Sequence, residues 1–376
     1  MVDRNKCCGC AVCANRCPKD AIKMTCDELG FLHPQIDEQK CIHCGLCESV
    51  CPIDAITDNK GVYQSCYAGF LDNVNQLMKS ASGGAFYSLA CGAIKNGYIV
   101  YGVRYSQDYK RAEYTRVIEK DDLELLRGSK YIQSEKGFIF RKIEQDLKEG
   151  RKVFFVGLPC DTAALLSFLR KPYPSLITVD LICYGCTTPM VADKYITWKE
   201  KQFRSSVSYM TIKDKSSGWE NPSLYMEFEN GKTYRKIFRN TEYGVAFNKI
   251  IRSSCYNCSF KGKNRWSDIT VGDYWGVSTS EPIYNSKGVS LLLVNTEKGK
   301  KVLEWMEDFR IEKIDGTYAR KCNVSIDRCQ APTDADAFKK AFLSKGLSAT
   351  HDYKFWVRTM IPDQLLSTLK SICRRG

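Results

Sequence analysis

The chain has 376 residues, 56 Lys and Arg against 43 Asp and Glu, a formal charge of +13, 20 cysteines and three histidines. Its length exceeds that of one typical domain, and it has neither an apolar signal segment behind the charged N-terminus nor a run of 18 apolar residues, so neither export nor a membrane span is expected. Cysteine usage this heavy without a secretory signal reads as metal ligands and reduced thiols of the cytoplasm, while His33, His43 and His351 argue against histidine-centred metal or acid–base chemistry.

Two copies of one pattern come first, Cys7-x2-Cys10-x2-Cys13-x3-Cys17-Pro18 and Cys41-x2-Cys44-x2-Cys47-x3-Cys51-Pro52. This is the bacterial 4Fe-4S spacing, in which three thiolates grip one cluster from a turning loop and the fourth crosses to the other cluster. One cluster therefore takes Cys7, Cys10, Cys13 and Cys51, and the other Cys41, Cys44, Cys47 and Cys17. Pro18 and Pro52 stop each loop from continuing as helix, and Asp-Ala-Ile recurs at 20–22 and 54–56, the same 34-residue offset that separates Cys7 from Cys41. Residues 1–60 thus resemble a two-cluster bacterial ferredoxin, a segment whose small core needs metal to hold it. Zinc knuckles or a disulfide framework fit two matched quartets followed by proline poorly. Cys8 and Cys26 fall outside the pattern and are expected to be small buried residues. His43 lies inside the second loop, where exposure is the expectation.

Eight ligating thiolates and two cluster cores would bring the formal charge to about +9. The basic residues are spread through the chain without a nucleic-acid module, so no nucleic acid is expected as a partner; an acidic protein or a phosphorylated cofactor suits them better.

Residues 61–76 read as a connector. Ala81-Ser82-Gly83-Gly84-Ala85 then opens a helical pattern to Ile94, and a Gly-rich turn at a helix start is either an anion site or a plain N-cap. Tyr98–Val103 alternates as a strand, Lys152–Val156 is a short buried strand, Asp161–Leu169 is helical, and Leu176–Ile182 is a second buried strand ending at Cys183. A strand–helix–strand unit of this length is a parallel crossover that puts Cys160 and Cys183 at one sheet edge, where open α/β sheets bind ligands. Farther on come Cys255-x2-Cys258, a strand over 267–273, a hairpin at Tyr225–Tyr234 around Asn230-Gly231, a strand at Val289–Val294, a helix over 297–309, and a helical tail from Ala335. Cys160, Cys183, Cys255 and Cys258 are candidates for a third 4Fe-4S cluster, with Cys186 competing for the place of Cys183; a zinc site on the same residues and a separate role for Cys160 remain alternatives.

In this order, Ser82-Gly83-Gly84, Gly128-Ser129-Lys130-Tyr131, Gly157-Leu158-Pro159-Cys160, Cys255-x2-Cys258 and Asp268-Ile269-x2-Gly272-Asp273 resemble the beta-subunit family of coenzyme F-420 hydrogenase and dehydrogenase over about residues 75–330. The resemblance implies an iron–sulfur flavoprotein whose FAD exchanges single electrons with clusters and a hydride with an organic partner. Ser82, Gly83 and Gly84 are then flavin-site candidates, with Ser129, Lys130 and Tyr131 as a second contact region. There Lys130 would meet a phosphate or the flavin's electron-rich end, and Tyr131 would stack. No catalytic residue is named, and the hydride partner, deazaflavin, nicotinamide or neither, is left open.

The fold class expected is α+β or α/β. A ferredoxin-type domain (1–60) and connector (61–76) precede a mixed α/β flavoprotein domain with a partly parallel sheet (77–330) and a helical C-terminal segment (331–376). The function expected is a cytoplasmic oxidoreductase, with a redox protein such as ferredoxin, or a catalytic partner subunit, on one side and a small organic substrate or hydride-carrying coenzyme on the other. The alternative is a non-enzymatic electron-transfer subunit serving a separate catalytic protein.

Overall fold

The computed structural model describes residues 2–53, 63–262 and 265–351; the second Asp-Ala-Ile triplet and the tail beyond residue 351 lie outside them. In the N-terminal segment each cysteine loop leads into a short helix, Val12–Arg16 and Leu46–Ser49, and an antiparallel hairpin of β1 (Ile22–Cys26) and β2 (Leu32–Ile36) lies between them. The body then supplies β3 (Ser65–Leu71), β4 (Tyr98–Tyr105), β5 (Ala112–Val117), β6 (Ser134–Glu135), β7 (Lys152–Gly157), β8 (Leu176–Leu181), β9 (Val207–Asp214), β10 (Ser223–Phe228), β11 (Thr233–Ile237), β12 (Ile269–Asp273), β13 (Ser290–Val294) and β14 (Phe309–Lys313).

Nine of these form one sheet in the order β14-β3-β13-β12-β8-β7-β4-β5-β6, and β11-β10-β9 form a second, antiparallel sheet. The centre of the large sheet, β12-β8-β7-β4, is parallel, so these four strands present their carboxyl ends along one edge. The expected crossover is present as β7, the helix Pro159–Leu169 and β8, with Val153 opposite Leu176 and Gly157 opposite Asp180. The apolar run of β7 has no polar face because both of its faces are covered: Phe154 and Val156 enter one core, Val153 and Phe155 another.

That second core also takes in Cys10, Val12 and Val50, so the ferredoxin-type segment packs onto the body as part of its interior. Polar contacts fix the register. Asn15 donates from Nδ2 to the Gly137 carbonyl (2.8 Å) and accepts at Oδ1 from the Phe140 amide (3.2 Å); Arg252 donates to the Cys7 carbonyl (2.8 Å), and Ser167 to the Val50 carbonyl (2.8 Å).

Three expectations are corrected. Residues 65–71, read as connector, form β3 and sit between β13 and β14; the small residues Ala68 and Gly69 masked the alternation. The helix expected over 297–309 stops at Val302, and after a single 3-10 turn the chain turns at Asp308 (φ 51°) so that Phe309 pairs with Leu71. The helix Ala335–Lys345 is observed as expected and packs into the body, with Phe338 and Phe342 buried in a core with Val245 and Phe247. Cys26 is exposed on the two-stranded hairpin rather than buried. The hairpin at Tyr225–Tyr234 is observed, with Met226 opposite Tyr234. No described helix is long and apolar enough to cross a membrane.

Candidate cofactor cavities

The two cysteine loops repeat each other in backbone as well as in sequence. Gly9 (φ 67°) and Ala11 (φ 60°) are left-handed in the first, and His43 (φ 52°) and Gly45 (φ 70°) at the matching places in the second. Left-handed residues interleaved with right-handed ones turn successive amides toward one point, which suits an anionic cluster. Cys7, Cys8, Cys10, Cys13, Cys47 and Cys51 line a small cavity of about 30 Å³, so the crossing cysteine of the second motif does come to the first loop. Burial pushes the Cys13 thiol up to about 12, hence thiolate ligation there releases protons as metal enters. Cys17 accepts a hydrogen bond from the Ala21 amide (3.3 Å), the kind of contact that tunes a cluster sulfur. The second loop is more open: Cys44 is exposed, Ile42 is 56% exposed, and Gly45 has no neighbour within 4 Å of where a Cβ would stand.

The body contributes a second cysteine-lined cavity, about 580 Å³, at the carboxyl ends of β7 and β8. Cys160 enters from the first turn of the helix after β7. Cys183 and Cys186 follow β8, and Cys255 and Cys258 come from the short helix Ser253–Tyr256 and the turn after it, where the Arg252 amide holds the Cys186 carbonyl at 3.0 Å. All five line the cavity, so Cys183 and Cys186 are both at hand. Burial raises the thiols of Cys183, Cys186, Cys255 and Cys258; at Cys160 a hydrogen bond with Cys8 raises the thiol further. Cys8 itself is no passive filler. It lines this cavity and the ferredoxin-type one alike, between Cys10 and Cys160, and the Cys7-Cys8 pair was its only trace in the sequence. A lining with six cysteines and no histidine suits an iron–sulfur cluster.

A third cavity of about 430 Å³ opens beside it and is lined by Ser82, Gly84, Ser129, Lys130 and Tyr131 together with Asp273 and Trp275 at the end of β12. Two distant segments proposed for the flavin thus meet across one space. Gly83 is not on its surface. It is the close-approach residue behind it, where a Cβ would stand 2.2 Å from the Gly69 carbonyl and 2.4 Å from the Ser290 amide. Ser82 donates its hydroxyl to the Val289 carbonyl (2.8 Å), so what it offers a ligand is backbone and shape. Lys130 spends two donors on the carbonyls of Leu125 (3.2 Å) and Arg127 (2.7 Å), and burial drags its ammonium down to about 7. Tyr131 stacks on Phe247 at 4.6 Å and 15°, so one face of its ring is already covered.

Leu158, Asp161, Cys183, Gly185 and Cys186 line both of these cavities. Within this partition Lys136 and Asp161 form an ion pair at 3.0 Å with side chains 3% and 1% exposed. Burial works against the Lys136 ammonium, but Asp161, Cys160 and Cys186 outweigh it and hold the lysine above its ordinary range.

Comparison with known proteins places these features. Residues 150–317 match the family model for the C terminus of the coenzyme F420 hydrogenase/dehydrogenase beta subunit, and residues 34–57 match a 4Fe-4S binding domain. No curated protein sequence matches. Among solved structures, a chain of the F420-reducing [NiFe] hydrogenase complex from Methanosarcina barkeri, studied by xenon derivatization, aligns at 17% identity over 76% of this chain and 94% of its own, with a TM-score of 0.49. Residues 150–317 thus carry the region typical of the C terminus of that beta subunit, and a 4Fe-4S binding domain stands ahead of it.

Proposed function

We propose that this chain is an iron–sulfur flavoprotein oxidoreductase, related to the F420 hydrogenase/dehydrogenase beta subunits, that moves single electrons between 4Fe-4S clusters and an FAD. The ferredoxin-type loops would hold two clusters, on Cys7, Cys10, Cys13 and Cys51 and on Cys41, Cys44, Cys47 and Cys17. A third would sit in the body's cysteine-lined cavity, on Cys160, Cys255, Cys258 and one of Cys183 and Cys186, with the FAD in the cavity beside it. Bound there, FAD supplies the conversion between one-electron and hydride chemistry. The observation that carries the reading is the shared partition: a cavity lined by six cysteines and one lined by the Ser82 and Ser129–Tyr131 segments have five residues in common.

The chain's own residues shape that passage. Cys8 bridges the first loop and the body's thiols, while the open second loop offers an outside redox protein an approach. Tyr131, Trp275 and Gly84 shape the flavin cavity, and Asp273 at its edge is held by Lys213 (3.0 Å), so its charge is already matched. The substrate would be a small organic molecule or a hydride-carrying coenzyme.

Anaerobic purification followed by iron, sulfide, zinc and extracted-flavin quantification tests the reading. About twelve irons and one FAD per chain without zinc are expected. Zinc in place of four of the irons would reassign the body's thiols, and absence of flavin would leave the large cavity to another ligand.

A further inference from the structure

We propose that Lys136 is a positioning residue that raises the reduction potential of the cluster in the body's thiol cavity, through an ammonium fixed in the partition between that cavity and its neighbour. The inference rests on the third-cluster reading above.

Three contacts hold the ammonium. Nζ donates to the Ser134 carbonyl (3.0 Å) and the Ser134 hydroxyl (3.1 Å) and lies 3.0 Å from Asp161 Oδ1 as an ion pair. Asp161 is held in turn, since Oδ2 accepts from the Tyr114 hydroxyl (2.9 Å) and the Leu158 amide (3.4 Å). Neither end of the pair can swing away, and Lys136 is 7% exposed overall. The placement is asymmetric: Lys136 lines the thiol cavity and not its neighbour, Ser134 lines only the neighbour, and Asp161 lines both. The cationic end thus faces the side where Cys160 and Cys186 sit.

A buried ion pair is weak evidence for stability, because its desolvation costs about as much as its attraction returns, so its place asks for another reason. Reduction adds one electron to a cluster already bound by four thiolates. That electron would be exchanged with a ferredoxin-type cluster, oxidised as this one is reduced, while Lys136 keeps its proton and forms no bond. A fixed positive charge in a low-dielectric wall stabilises the reduced form over the oxidised one.

The test is an anaerobic redox titration followed by electron paramagnetic resonance, on the full chain and on Lys136→Met, Lys136→Arg and Lys136→Met combined with Asp161→Asn. In Lys136→Met one of three midpoint potentials falls while the other two stay, and Lys136→Arg keeps all three near their original places. The double variant leaves no unmatched buried charge and shows a smaller fall at the same single midpoint, because loss of the Asp161 charge offsets part of it, which covers failure of Lys136→Met to load iron. Full iron content with all midpoints unmoved, or an Arg variant displaced as far as the Met variant, overturns the inference. A parent chain with about eight irons and two midpoints removes the third-cluster reading itself, and the inference with it.

Discussion

The ferredoxin-type loops and the thiol cavity of the body are two ways of bringing cysteines to one place. In the loops, three ligands come from seven consecutive residues turned by left-handed backbone at Gly9, Ala11, His43 and Gly45. In the body, cysteines 160, 183, 186, 255 and 258 arrive from three separate segments, and what brings them together is the parallel pairing of β7 with β8 and the packing of the turn after Ser253. The first arrangement should rely on metal to stay folded, whereas the second is built by a sheet with covered faces and should persist without it.

The strongest way to break that contrast is to remove the metal. Chelation of the reduced, anaerobic protein should strip hydrogen-exchange protection from residues 2–53 while β7, β8 and β12 keep theirs; equal loss in both regions would show that the body depends on metal as well. A smaller effect separates the two loops. Gly9→Ala forces a Cβ onto a left-handed residue and to within 2.3 Å of Gln133, so it should cost about 3 kcal/mol or more, whereas Gly45→Ala, with open space around it, should cost about 1 kcal/mol in chemical denaturation. Asn15→Ala removes two of the hydrogen bonds that dock the first loop on the body and should cost about 2 kcal/mol by the same measurement.

The smallest effect is a slope. Lys130, half-buried and with its ammonium desolvated and held down to about 7, is neutral in the folded chain at pH values where the unfolded chain still carries its proton. The unfolded state then binds more protons, so stability rises as pH goes from about 7 toward the ordinary lysine pKa near 10.4, by at most about 1.4 kcal/mol per pH unit. Lys130→Met should flatten that rise relative to the parent. An unchanged slope would mean that the ammonium stays charged at its two carbonyls.

How legible these features were depends on the distance over which each is determined. The ferredoxin pattern is local, and Cys51 of the second motif lines the same small cavity as Cys7, Cys10 and Cys13. The β7–helix–β8 unit could be read because a buried parallel strand is apolar throughout. Cys8 could not be read as a bridge, since only the packing of the segment on the body sets it beside Cys160. Lys136 and Asp161 were missed for a related reason: nothing local marks two residues 25 positions apart as a buried pair. At Gly83, Lys130 and Tyr131 the sequence located the neighbourhood, while close approach, carbonyl contacts and a phenylalanine stack decided which atoms reach the cavity.

The position of β3 bears on how the protein can be divided. Because this strand lies between β13 and β14, a recombinant body started at residue 77 would leave both neighbours with an unpaired edge, an invitation to aggregate. A cut that spares Ser65 keeps the sheet whole. Even then it uncovers Phe140, Phe155 and Phe168 where Cys10, Val12 and Val50 had covered them, so a severed body would be expected to need a solubilising substitution on that face before it could be handled alone.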